Sequence, residues 1–301
     1  MKEGIKLIVA VVLILVMEVF LYPISDKTHY YQGFNKPYEI ALKTKGEERI
    51  ILLGGSSLGW GVSAESIQKE TGIIALNFGV HADTGYRGSF GLIEEVLTKK
   101  DLIIISPEWE KLVGSFASSH DSKRSEQYCY IKNFVKREFD INCIGFVLNR
   151  VLTFQDINPN RGDYKYSSFN TNGDVVHRSK SSEMPFIEWT EQCVYEFDSK
   201  NYINFFNKLR NEGYKILYIP TLIPESLCSD ISKRLKINGL LSKQFGTLID
   251  EELKLKDEYF YDTEYHLTKE GVDIKTEKFL KHIKNYLAKP VTEDVNKMLD
   301  G

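Results

Sequence analysis

Four short apolar runs punctuate the chain, at 49–54, 72–77, 101–106 and 215–220. The first reads Arg-Ile-Ile-Leu-Leu-Gly and the third Asp-Leu-Ile-Ile-Ile-Ser. Runs this short, without polar alternation, predict strands buried on both faces, the habit of parallel sheets. Between them, apolar positions recur at helical spacing and predict helices over 64–70, 86–99 and 198–211. A long amphipathic stretch, 268–289, carries Ile274, Phe279, Leu280, Ile283 and Leu287 on one stripe and predicts a closing helix. Tyr259, Phe260 and Tyr261, just before it, predict one more short strand.

Strand and helix in alternation predict an α/β domain: a three-layer α/β/α, flavodoxin-like arrangement around a parallel sheet, spanning 49–290. The stretch 108–196 breaks the rhythm with expected helices at 131–139 and 144–154 and a Ser/Asn/Gly-rich loop at 158–182. It starts directly after the third strand and the alternation resumes behind it, so it reads as an insertion. Its aromatics, Tyr164, Tyr166, Phe169, Phe186 and Trp189, are expected to cover the functional end of the sheet and select substrate. Residues 25–48, polar and containing Gly33 and Pro37, read as a stalk, and 291–301 as a C-terminal tail.

The N-terminus carries a compartment signal. Lys2 and Lys6 flank the start of an apolar run over 7–17, which Glu18 interrupts and 19–24 resumes. Residues 5–24 together supply the ~20 apolar positions a transmembrane helix needs. The lysines precede it, so the expectation is a single-pass anchor, residues 1–24, with the main domain outside the cytoplasm. A cleaved signal peptide and a buried core helix are the rival readings; no A-x-A-like cleavage site follows the run.

With 42% hydrophobic and 27% charged residues and a formal net charge of -3, the 301-residue chain is ordinary globular material with no basic field for nucleic acid. Tyr and Phe, at 17 each, suit either a core or surfaces that stack on sugar rings. Cys129, Cys143, Cys193 and Cys228 match no zinc spacing. Cys129 could pair with Cys143, or all four could be buried thiols. No metal and no cofactor are expected.

Candidate chemistry lies where the first strand ends. The loop Gly54-Gly55-Ser56-Ser57-Leu58-Gly59-Trp60-Gly61 leaves two hydroxyls in a glycine-rich turn at the carboxyl end of a sheet strand, where open α/β sheets bind ligands. It lacks the Lys of a Walker-type phosphate loop, and the dinucleotide glycine pattern fits poorly.

Gly55-Ser56-Ser57-Leu58 with Gly61 resembles the first block, G-D-S-L-x-x-G, of the SGNH/GDSL hydrolase superfamily. The resemblance makes Ser57 the nucleophile, with Ser56 in place of the family's acid and as the competing nucleophile. The stretch 262–271, Asp-Thr-Glu-Tyr-His-Leu-Thr-Lys-Glu-Gly, resembles the family's C-terminal block, which implies a proton-shuttling His266 oriented by Asp262. The family spacing is D-x-x-H, whereas Asp262 lies one residue further off; a local bulge would restore the geometry, and Glu264 is the reserve carboxylate. Asn77-Phe78-Gly79-Val80-His81-Ala82 resembles the second block. It implies Gly55, Gly79 and the Ala82 N–H around a developing oxyanion, with His81 near substrate. The third block departs most: Ser106-Pro107-Glu108-Trp109 stands where the family has G-x-N-D, leaving Trp109 or a protonated Glu108 as possible donors. That stretch is similar to one in membrane-anchored proteins of teichoic-acid D-alanylation. The resemblance thus implies an anchored serine esterase or O-acyltransferase acting on an acylated glycan or cell-envelope polymer. The alternative it leaves open is a catalytically degenerate module that binds glycan or assists a membrane-bound acyltransferase.

Overall fold

A computed structural model describes residues 4–6, 9, 12–13, 29–108, 126–136, 138, 140, 143–146, 165–176, 199–227 and 254–288. In chain order, helix α1 (Asn35–Lys43) leads into strand β1 (Arg49–Gly54), the short helix α2 (Ser56–Gly59), helix α3 (Ala64–Thr71) and strand β2 (Ile74–Asn77). Helix α4 (Gly85–Ile93), strand β3 (Leu102–Ser106) and helix α5 (Glu126–Tyr130) follow. Helix α6 (Ser199–Asn211), strand β4 (Lys215–Tyr218), the small strands β5 (Ile223–Pro224) and β6 (Lys254–Leu255), and helix α7 (Lys269–Leu287) complete the set.

β1 to β4 form one parallel sheet in the order β2-β1-β3-β4. Alternate residues of a strand face opposite sides, so a fully apolar strand needs cover on both. Ile51, Leu53, Ile103 and Ile105 pack with Tyr86, Phe90 and Ile93 of α4 and Phe206 of α6. Ile50, Leu52, Ile104 and Leu217 pack with Ala64 and Ile67 of α3 and Phe279 and Ile283 of α7.

Two ends of the sheet are fixed differently. At the amino end, Arg49 is wholly buried and pairs in two-pronged fashion with buried Asp101, Nε and an Nη each 2.8 Å from a carboxylate oxygen. Its remaining donors reach the Ala41 carbonyl at 2.6 Å and the Val96 carbonyl at 2.8 Å, so one guanidinium ties α1 and the loop before β3 to β1. At the carboxyl end, residues 165–176 lie against β2. Asn77 N–H donates to the Asn172 carbonyl at 2.7 Å, and Val175 N–H to that of Gly59 at 2.9 Å. Gly173 turns this segment with φ of 91°, and any side chain there would overlap the Asn77 carbonyl. Buried Asp174 accepts from the Ala64 and Glu65 N–H groups, capping α3 together with Ser63. Burial raises the Asp174 pKa against the pull of those hydrogen bonds.

Three expectations need correction. Residues 29–43 are not a stalk: Tyr30, Tyr31 and Phe34 are buried in the main core, because three large aromatics in five positions cannot stay in water beside an open apolar face. No strand forms at 259–261. Asp257–Tyr259 is a 3-10 turn, and Phe260 makes a single antiparallel bridge to Leu267, so the chain doubles back instead of joining the sheet. The helix expected at 131–139 is a five-residue π-helical turn, Ile131–Val135, held beside the Cys129–Cys143 disulfide. No helix among the described residues is long and apolar enough to cross a membrane, and positions 7–8, 10–11 and 14–24 of the expected span lie outside those residues. So do the tail, most of 144–154, and Tyr164, Phe186 and Trp189 of the insertion.

Candidate functional site

β1 ends in Gly54, and the chain turns through Gly55 into α2. The turn sends two adjacent serines in different directions. Ser57 is fully buried, and its Oγ has no hydrogen-bond partner among the described residues. Ser56 is partly exposed, with its Oγ 3.0 Å from Nε2 of His266. The hydrogen-bond position beside His266 expected of Ser57 is therefore held by Ser56. Successive residues of a helical turn point about 100° apart, so only one of the pair can face the histidine.

His266 is 5% exposed and stands just before α7. Its Nδ1 is 2.8 Å from Asp262 Oδ1. The extra residue between acid and base is absorbed by Thr263, whose hydroxyl accepts from the N–H groups of Tyr265 at 3.2 Å and His266 at 3.1 Å. The Tyr261 N–H to His266 carbonyl bond, 2.7 Å, and the Phe260–Leu267 bridge close the loop. Thr268 then caps α7 by accepting from Gly271 N–H. The carboxylate on the histidine is thus Asp262; Glu264, in the same loop, is partly buried.

The imidazole is also held from the side. Trp60, fully buried, stacks on His266 and on Tyr261, and its indole N–H donates to the Tyr30 hydroxyl at 3.1 Å. Tyr30 in turn donates to the Val80 carbonyl at 2.9 Å. Burial and the nearby Asp262 and Glu108 carboxylates hold the Tyr30 hydroxyl far above the usual phenol range, so it stays a donor. This chain of contacts joins the residues expected as a stalk to the His266 ring.

Other sequence candidates fall into place around the turn. Glu108, 1% exposed, puts Oε1 2.9 Å from the Ser57 N and 3.1 Å from the Ser56 Oγ. Gly55 is what admits it, since a Cβ there would overlap the carboxylate. Gly79 packs its backbone on the turn, accepting from Gly59 N–H at 3.1 Å, but its own N–H is taken by Asn77 Oδ1 at 3.0 Å. The expectation that Gly79 faces an oxyanion is therefore not met. Ala82 opens a 3-10 turn, Ala82–Thr84, and no hydrogen bond ties it to the serine turn among the described residues. His81 is partly buried and lies edge-on to the Tyr31 ring, centroids 5.8 Å apart. Trp109 lies outside the described residues.

Sequence reasoning missed Lys275. Its Nζ, buried beneath the turn, donates to the Ser57 carbonyl at 2.9 Å and the Thr221 hydroxyl at 3.0 Å. Burial pulls this amine down to about 7, with the Glu108 carboxylate acting in the opposite sense. The signal was available: Lys275 sits four residues before Phe279 and eight before Ile283, on the inward stripe of α7. Among the described residues no group of three or more His, Cys, Asp or Glu is arranged to hold a metal ion.

Comparison with family models, with curated proteins and with solved structures finds no match.

Proposed function

We propose that this chain is a serine esterase or O-acyltransferase of SGNH type, using Ser56, His266 and Asp262. A single observation carries the reading: one imidazole lies 3.0 Å from a serine hydroxyl and 2.8 Å from a carboxylate, on opposite ring nitrogens. A serine hydroxyl is a poor nucleophile until a base takes its proton, and a base oriented by a carboxylate does so at neutral pH. The Ser56 Oγ attacks an ester carbonyl carbon, its proton passes to His266 Nε2, and the carbonyl electron pair moves onto oxygen. Collapse of this adduct expels the alcohol, which takes the proton from His266. Water or an acceptor hydroxyl, deprotonated in the same way, then releases the acyl group from Ser56.

The finer parts of the reading rest on sequence. The three-layer, flavodoxin-like description is supported by the strand order and by core clusters on both sheet faces. The anchor at 5–24 rests on its apolar run and flanking lysines. The Cys129–Cys143 disulfide supports an extracytoplasmic domain, since cytosolic thiols are kept reduced. With the domain outside and tethered, an acylated glycan or cell-envelope polymer is the substrate class, and a membrane acyltransferase a fitting partner. The second reading, a catalytically degenerate module, draws on Glu108, which takes up the Ser57 N–H.

Labelling of the purified protein with a fluorophosphonate, followed by mapping of the modified residue, separates the two. Modification of Ser56, lost in Ser56→Ala and in His266→Ala, supports the enzyme. A parent protein whose Ser56 stays unmodified, alongside binding to an acylated glycan, supports the module.

A further inference from the structure

Acyl transfer at a serine requires a seat for negative charge. That seat lies about 3 Å from both the nucleophile and one or more hydrogen-bond donors. Here the point that meets both conditions is filled. Glu108 Oε1 stands 3.1 Å from the Ser56 Oγ and 2.9 Å from the Ser57 N.

Three features show that the carboxylate was fitted into this place. Glu108 is 1% exposed, so its carboxyl group was drawn out of water to reach the turn. Gly55 supplies the room, because a Cβ at that position would collide with all three atoms of the carboxylate group. And the Ser56 hydroxyl has one proton to give, while two acceptors, His266 Nε2 and Glu108 Oε1, lie within 3.1 Å of its oxygen. Each bond donated to Glu108 is one not donated to the base.

On the reading of Ser56 as the nucleophile, we propose that the Glu108 carboxylate occupies the seat of the reaction's oxyanion and thereby holds the resting site back. A substrate carbonyl oxygen cannot take the Ser57 N–H until Glu108 gives it up. The developing negative charge would also meet a like charge at close range in a poorly solvated place. Glu108 is therefore a catalytic residue in the strict sense that it touches the reacting oxygen, with an effect on rate opposite to that of a donor.

The competing account makes Glu108 a brace: an acceptor that caps the Ser57 N–H and keeps the turn in shape. The two accounts predict opposite signs. The rate of fluorophosphonate labelling at Ser56 is measured in the full chain for the parent, Glu108→Gln and Glu108→Ala, with Ser56→Ala as the blank. Removing one oxyanion donor typically slows an enzyme ~10²–10³-fold, so freeing one here should speed labelling by about tenfold or more. Glu108→Gln keeps the size and an acceptor for Ser57 while removing the charge, and Glu108→Ala clears the seat outright. Faster labelling at Ser56 in both variants than in the parent supports the proposal. Equal or slower labelling in both variants, with the parent still modified at Ser56, overturns the proposal and leaves the serine reading intact. A Glu108→Gln protein that no longer folds also overturns it, since the carboxylate would then be the brace. Absence of Ser56 modification in every protein overturns the serine reading as well.

Discussion

The indole of Trp60 lies flat against the imidazole of His266, ring centroids 4.9 Å apart and planes 19° from parallel. Because Trp60 also donates to Tyr30, the ring is fixed on its edge as well as its face. Trp60→Phe keeps an aromatic face while losing the bond to Tyr30 and part of the indole's volume, so most labelling of Ser56 should remain. Trp60→Ala leaves a void beside the histidine and should cost about 3–5 kcal/mol of stability, measured by chemical denaturation.

Ser57→Ala tests the choice between the two serines. The Ser57 hydroxyl is buried with no partner among the described residues, and an unsatisfied buried hydroxyl costs ~1–3 kcal/mol. Its N–H and carbonyl, which bond Glu108 and Lys275, survive the substitution. The variant should be as stable as the parent or more so, with labelling of Ser56 within a few-fold. A collapse of labelling would restore Ser57 as the nucleophile.

The same pair shows where sequence reading reaches its limit. Apolar runs located β1 to β4 to within two residues at each end, because a strand buried on both faces admits almost nothing but Ile, Leu, Val and Ala. Asp262 and His266 were also legible, since their block carries its own turn and cap. What no pattern reveals is the phase of a four-residue helix such as α2, where one residue exchanges the buried and exposed hydroxyls. Nor does local polarity reveal long-range partners. Tyr30, Glu108 and Lys275 are separated from the residues they serve by 30, 51 and 218 positions, and their roles appear only once the sheet is assembled.

Arg49 and Asp101 form a wholly buried pair, so removing one partner strands the other's charge. Arg49→Met alone should destabilise the protein by ~3–5 kcal/mol, whereas Arg49→Met combined with Asp101→Leu should recover much of that loss. Denaturant midpoints of the parent, Arg49→Met, Asp101→Leu and the double variant check it. Additive losses would show that the two side chains do not act as a pair.

Lys275 sets a pH dependence whose sign is fixed. Its amine falls from an ordinary 10.5 to about 7 on folding, so between those values the unfolded chain binds the extra proton. Stability from this group therefore rises as pH increases from about 7 toward 10.5 and is at its lowest below 7. Lys275→Met removes the titration. The parent should gain on the variant over that window in unfolding measured at a series of pH values; parallel curves would refute the shift.

Tyr30 lies in the core beside Trp60, and this has a geometric consequence for where the proposed site would work. If 5–24 spans a bilayer as proposed, only residues 25–28 separate the span from His29, which is itself fully buried. Five extended residue steps reach about 18 Å at most. A tether that short would place the Ser56 end of the domain within a few nanometres of the lipid surface, so any substrate of the proposed reaction would have to come to the membrane to be worked upon.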